Sequence, residues 1–158
     1  MRDAVQQGLL SEVKFKVKGD LLQLPFADPK QGEFLVTAKA SDVQYAYVPP
    51  ENLKTANRNA SSEGIWPTMS SVNADIVFDR LNFKVNGASG KWGAVPFTQI
   101  KAEIPNLSGK VVVNVQGESK TGANLALTDL RQSPVNNMLG GLFAQAQSTG
   151  TLNARLKL

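Results

Sequence analysis

Residues 66–85, "WPTMSSVNADIVFDRLNFKV", decide the fold. Val72, Ala74, Ile76 and Phe78 alternate with Asn73, Asp75, Val77 and Asp79, and after Asp79-Arg80 the pattern resumes. Leu81, Phe83 and Val85 then alternate with Asn82, Lys84 and Asn86. A period of two puts successive side chains on opposite faces of a strand, so the stretch predicts a β-hairpin with one apolar and one polar face. The question it raises is what covers the apolar face.

Working outward, "EVKFKVKG" has the same period, with Val13, Phe15 and Val17 opposed to Lys14, Lys16 and Lys18. The lysine row reads as a solvated face that also discourages stray edge pairing. "GEFLVTAKASDVQYAYVPP" reads as two strands. Phe34, Val36, Ala38 and Ala40 share a face of the first, and Val43, Tyr45 and Tyr47 share a face of the second. Ser41-Asp42 between them suits a tight turn. "GASGKWGAVPFTQIKAEIP" supplies one or two more strands, and "SGKVVVNVQGES" another, with Val111, Val113 and Val115 together. "LLQLPFADPKQ" reads as a loop because Pro25 and Pro29 cannot donate to a ladder. Residues 49–64 are polar, rich in Asn and Ser, and read as a surface loop.

Two helices are expected. Ala4, Val5, Leu9 and Leu10 fall at roughly helical spacing, which predicts a short helix over residues 2–10. "SPVNNMLGGLFAQAQS" predicts a second over about 133–147, with Ser133 as N-cap and Pro134 at the first helical position. Strands are expected over about 12–128 and a final one over about 150–158, where Leu152, Ala154, Leu156 and Leu158 alternate with polar residues. Eight or nine strands with short polar connectors and no βαβ rhythm make the chain mainly β. The expectation is one domain over residues 1–158: a curved antiparallel sheet, folded over as a groove or open and sandwich-like, with two short helices.

Composition narrows the chemistry. The 158 residues are 42% hydrophobic and 19% charged, which is globular. Seventeen Lys and Arg against thirteen Asp and Glu give +4, spread without a polybasic block. There is no Cys and no His, so disulfides, thiolate metal sites, Ser-His-Asp chemistry and histidine-based zinc hydrolysis are excluded. Asp75 and Asp79 lie on the polar face of an alternating strand, where solvated acids are expected rather than a glycosidase pair. "GASGKWG" lacks the continuation of a phosphate-binding loop. Phe15 faces away from the lysine row, so the interleaving that nucleic-acid binding needs is missing. No catalytic residue, metal ligand or cofactor is expected. Trp66-Pro67 and Trp92 read as covers for sheet ends and edges more readily than as ligand-stacking features.

Two short helices at 1.5 Å per residue cannot roof a sheet of this size. A second sheet, barrel closure or a ligand would have to contribute, and composition does not choose among them. The order of landmarks resembles the AsmA-like family, YhdP type, large bacterial proteins related to TamB and the bridge-like lipid-transfer proteins. "RDAVQQGLLSEVKFKVKGDLLQLPF", "GEFLVTAKASDVQYAYVPP", the opening stretch, "EIPNL" and "SPVNNMLGGLFAQAQSTGTLNARLKL" carry the resemblance over about residues 2–158.

It implies a periplasmic piece of a longer protein anchored in the inner membrane. The folded-over sheet of such a protein is an apolar groove for phospholipid acyl chains. Under that reading the groove candidates are Phe34, Val36, Tyr45, Tyr47, Ile76, Phe78, Leu81, Phe83, Val111, Val113 and Val115. The same residues serve equally as ordinary core. Met138, Leu139, Leu142 and Phe143, at helical spacing, are candidates for a lid or for core completion. The expected partners are phospholipid and neighbouring segments of the same chain, with edge-to-edge self-association possible and no nucleic acid. The alternative is a non-catalytic structural or interaction module of a larger envelope protein.

Overall fold

The computed structural model describes residues 4–46, 66–108 and 110–157. The opening stretch is the hairpin its alternation predicts. Strand β3 (Met69–Asp79) pairs antiparallel with β4 (Asn82–Trp92), closing at Asp79 opposite Asn82 with Arg80 and Leu81 as the turn. On either side lie β1 (Val5–Gly19), β2 (Gly32–Tyr45), β5 (Val95–Ile104), β6 (Asn114–Gly122) and β7 (Thr151–Lys157). Every strand pairs antiparallel with its neighbours in sequence, so the spatial order is β1 to β7 in a single open sheet of seven strands. Helix α1 (Ala123–Gln132) and the short α2 (Pro134–Met138) sit between β6 and β7.

The segment expected as a helix over residues 2–10 is instead, over its described part, the first half of β1. The apparent helical spacing has a different origin. Glu12 takes a left-handed backbone, φ +50°, and the pairing with β2 slips by one residue there. Beyond the slip, Leu10 rather than an odd-numbered residue shares a face with Phe15, because Leu10 lies opposite Ala40. The two-residue period is preserved with its phase shifted, and a phase shift imitates a helix.

The same device recurs in every strand from β1 to β5. Glu12, Asp42, Ser71, Gly87 and Gln99 have φ of +50°, +48°, +51°, +62° and +54°, and a register slip accompanies each. Each is a bulge, one extra residue that bends its strand and increases the local twist. Without the extra residue, the phase shift would turn half of every strand's apolar side chains to the wrong face. Ser41-Asp42 is therefore not a turn between two strands, since β2 runs through it as one strand with a bulge. Asn73 satisfies the backbone of two adjacent bulges: its Oδ1 accepts from the Asp42 N–H at 3.2 Å, and its Nδ2 donates to the Ser71 carbonyl at 3.0 Å.

The helix expected over 133–147 is cut short. Pro134 does occupy the first turn of α2, but Gly140 and Gly141 take φ of +65° and +78° and the chain continues in turns. Ser133 makes no side-chain cap; its hydroxyl donates backward to the Leu130 carbonyl at 2.8 Å, and its N–H ends α1. α1 itself falls partly in the span expected as strand. Val111 and Val113 precede β6 and belong to no strand, whereas Val115 pairs with Ala102. The expected loop over 49–64 lies outside the described residues.

Two local anchors hold the ends. Asp129 of α1 is buried, and its Oδ2 accepts from the N–H groups of Ala94 at 2.7 Å and Val95 at 3.2 Å, tying the helix to the β4–β5 turn. Gly93 makes that contact possible: with φ +59°, a Cβ there would stand 2.6 Å from the carboxylate. Asp129→Ala should cost about 2–3 kcal/mol, the loss of charge-assisted hydrogen bonds, read as a lower urea midpoint at unchanged slope. At the other end, Phe26 is the one large apolar side chain buried completely among the described residues. Its ring lies where Cβ atoms of the paired Gly19 and Gly32 would be, at 3.0 and 2.8 Å.

Candidate functional site

The register assembles the apolar positions into rows that run across the strands. Phe15, Val36, Phe78, Phe83 and Ile104 stand directly opposite one another from β1 to β5. The next row is Ala38, Ile76, Val85, Ala102 and Val115. At the level of the bulges come Leu10, Ala40 and Ala74, with Ala88 opposite Ile100. A last row joins Val5, Tyr45, Met69, Trp92 and Val95. Bulky residues thus border a middle band rich in alanine, where Ala40 and Ala88 are buried by their larger neighbours. Phe78 and Phe83 reinforce one border, with ring centroids 5.1 Å apart and planes tilted by 57°.

This face has no second layer among the described residues. The fully buried apolar side chains are Phe26 and five alanines, while Phe34, Val36, Ile76, Phe78, Leu81, Phe83 and Val115 are only half-buried. A sheet sandwiched by its own chain would bury such residues almost completely. α1 packs on β5, β6 and β7 near one end and does not extend over β1 to β4. Tyr45 is exposed and Phe15, on the edge strand, is 77% exposed.

The remaining candidates separate. Leu81 sits in the β3–β4 turn, where its carbonyl accepts from the Leu107 N–H at 2.9 Å. Val111 and Val113 are exposed and outside the rows, and Tyr47 lies outside the described residues. Of the lid candidates, Met138, Leu139 and Leu142 point into solvent and Phe143 is half-buried. The residues missed in sequence are the bulges and the alanine band. The signal that finds them is the parity switch within a strand, as from Val95 and Phe97 to Ile100 and Ala102.

The opposite face is a ladder of compensated charge. Lys39 donates to Glu12 at 2.8 Å, which holds the Glu12 carboxyl below the usual range and raises the Lys39 ammonium. Lys16 does the same to the carboxyl of Glu33. Glu103 is lowered by the hydrogen bond from Asn82 at 2.7 Å and then by Lys84 at 3.4 Å. Arg155 and Glu118 pair at 3.0 Å, and Arg80 and Asp79 at 3.2 Å. These are exposed pairs worth little individually, and they keep this side wet. No group of three or more acidic residues that could hold a metal ion occurs among the described residues.

A family model described as YhdP protein matches residues 1–158. The chain belongs to the YhdP family. Membership associates it with the cell envelope. The expected mainly β chain, an open antiparallel sheet with two short helices, is what the structure has. No curated protein and no solved structure matches the chain. No helix among the described residues is long and apolar enough to cross a membrane.

Proposed function

We propose that this YhdP-family segment is one slab of a non-catalytic apolar trough that holds phospholipid acyl chains within the envelope, as part of a longer periplasmic protein anchored in the inner membrane. The observation that carries the reading is the uncovered apolar face, continuous from β1 to β6 through directly opposed residues. Leaving that much half-buried aliphatic and aromatic surface in water is costly unless something apolar occupies it. A chain of roughly sixteen carbons gains about 12 kcal/mol by burial, before the costs of binding. Such a guest asks only for apolar surface, which is why no sharp motif marks the site. The groove candidates on the rows are Val36, Tyr45, Ile76, Phe78, Phe83 and Val115, and Phe34 shares the Val36 face of β2.

The test is direct. The chain purified from cells is extracted with organic solvent, and the extract is analysed by mass spectrometry. Co-purifying phospholipid, at a reproducible ratio to folded protein, is the expected result. Folded protein that carries none and takes none up from vesicles would leave a structural spacer as the better description.

A further inference from the structure

Strand β1 forms one border of the sheet and pairs with β2 alone. It holds no proline, and every residue of it except Ser11 is exposed. Past the Glu12 bulge, residues 14–19 pair in unbroken register with residues 32–37 of β2. The outer side of that stretch is therefore a regular row of backbone N–H and C=O groups, a template for one more strand.

The side chains along the row state what such a strand must carry. Val13, Phe15 and Val17 stand on the apolar face and are all exposed. Lys14, Lys16 and Lys18 stand on the other face, and the sheet meets only part of their charge. Lys16 pairs with Glu33, while Glu12 pairs with Lys39. Glu33 lies opposite Lys18 but binds Lys16, and Lys14 lies opposite Thr37. Neither Lys14 nor Lys18 has an ion pair among the described residues. A step of four residues sets these two cations about 13 Å apart along the border.

We propose that the border of β1 over residues 13–19 docks an extended segment of another polypeptide, in which apolar residues alternate with polar ones and two acids stand four residues apart. In register, the acids face Lys14 and Lys18, and the apolar residues continue the positions of Val13, Phe15 and Val17. Backbone hydrogen bonds supply the affinity in this mode, and alternate side chains supply the selectivity. A second copy of the chain is the wrong partner. Two β1 strands laid antiparallel, centred on Phe15 or on Lys16, set lysine against lysine. The other border, β7, brings Asn153, Arg155 and Lys157 and no acid. Like charges directly opposite destabilise a strand pair. The docking uses the border of the sheet, so it stands independently of what the open face holds.

The probe is a fluorescein-labelled nine-residue peptide of alternating valine and threonine, with glutamate replacing two threonines four positions apart. A control peptide carries lysine at those two places. By fluorescence anisotropy the glutamate peptide should bind about tenfold more tightly than the control, with the difference shrinking in high salt. Lys14→Glu/Lys18→Glu should invert the order and favour the lysine peptide, a reversal that loss of fold cannot produce. Amide exchange should slow along residues 13–19 when the glutamate peptide is bound, and stay unchanged along β7.

Failure of both peptides to bind, equal binding of the two, or a double variant that keeps the parent's preference overturns the proposal. So does protection that appears along β7 instead. Concentration-dependent self-association of the free chain that protects β1 would make a second copy the occupant, and overturns it as well.

Discussion

Replacing both Phe78 and Phe83 by glutamate is expected to abolish phospholipid capture while leaving the chain folded. The two rings face each other across the β3–β4 hairpin, on central strands of the sheet and at one border of the uncovered face. Both are half-buried, with no layer of protein above them among the described residues. Two carboxylates there would each need hydration in the path of an acyl chain, and moving a charge into hydrocarbon costs several kcal/mol. The backbone ladder of the hairpin is untouched, and the side chains can turn toward solvent. Mass spectrometry of lipid extracted from the purified double variant measures the loss. Wild-type lipid content in folded double variant would refute the role of these rings. Unfolding of the variant would show that the rings are enclosed core, contrary to their exposure.

The largest stability effect is expected at Phe26→Ala. Removing a fully buried phenylalanine costs about 3–5 kcal/mol, because the cavity it leaves collapses only in part. Here collapse is especially difficult, since the ring rests on the paired glycines Gly19 and Gly32, which have no side chains to close the gap. A drop in urea midpoint of that size is the expected reading, with amide exchange fastest at the closed end of the β1–β2 hairpin. A loss below about 1 kcal/mol would mean that the ring is not the plug described.

Much of this architecture is legible in the sequence because the period of two is a direct image of the pleat. β3 and β4 follow from the alternation of residues 72–85, and the second half of β1 from Val13, Phe15 and Val17. What escapes is whatever breaks the period without ending the strand. The bulge at Asp42 looks like a turn because Asp favours both a turn and a left-handed backbone. The bulge at Glu12 brings Leu9 and Leu10 into a spacing that imitates a helix. α1 hides for another reason. Its anchor is Asp129, whose value comes from two N–H groups more than thirty positions away, a contact that no local pattern announces. The uncovered state of the apolar face is also silent in sequence, since the same alternation serves a closed sandwich equally well.

The strand order has a consequence for how such a chain comes into being. Each strand joins only the one made just before it, so no segment must wait for a distant piece of polypeptide to close its ladder. Assembly can advance like a zip from the first hairpin, each newly available strand adding one rung, with loop-closure entropy smallest at the tight β3–β4 and β4–β5 turns and larger where β3 and β7 follow long connections. The unfinished product is always a sheet with one fresh border, ready to accept whatever strand the ribosome delivers next.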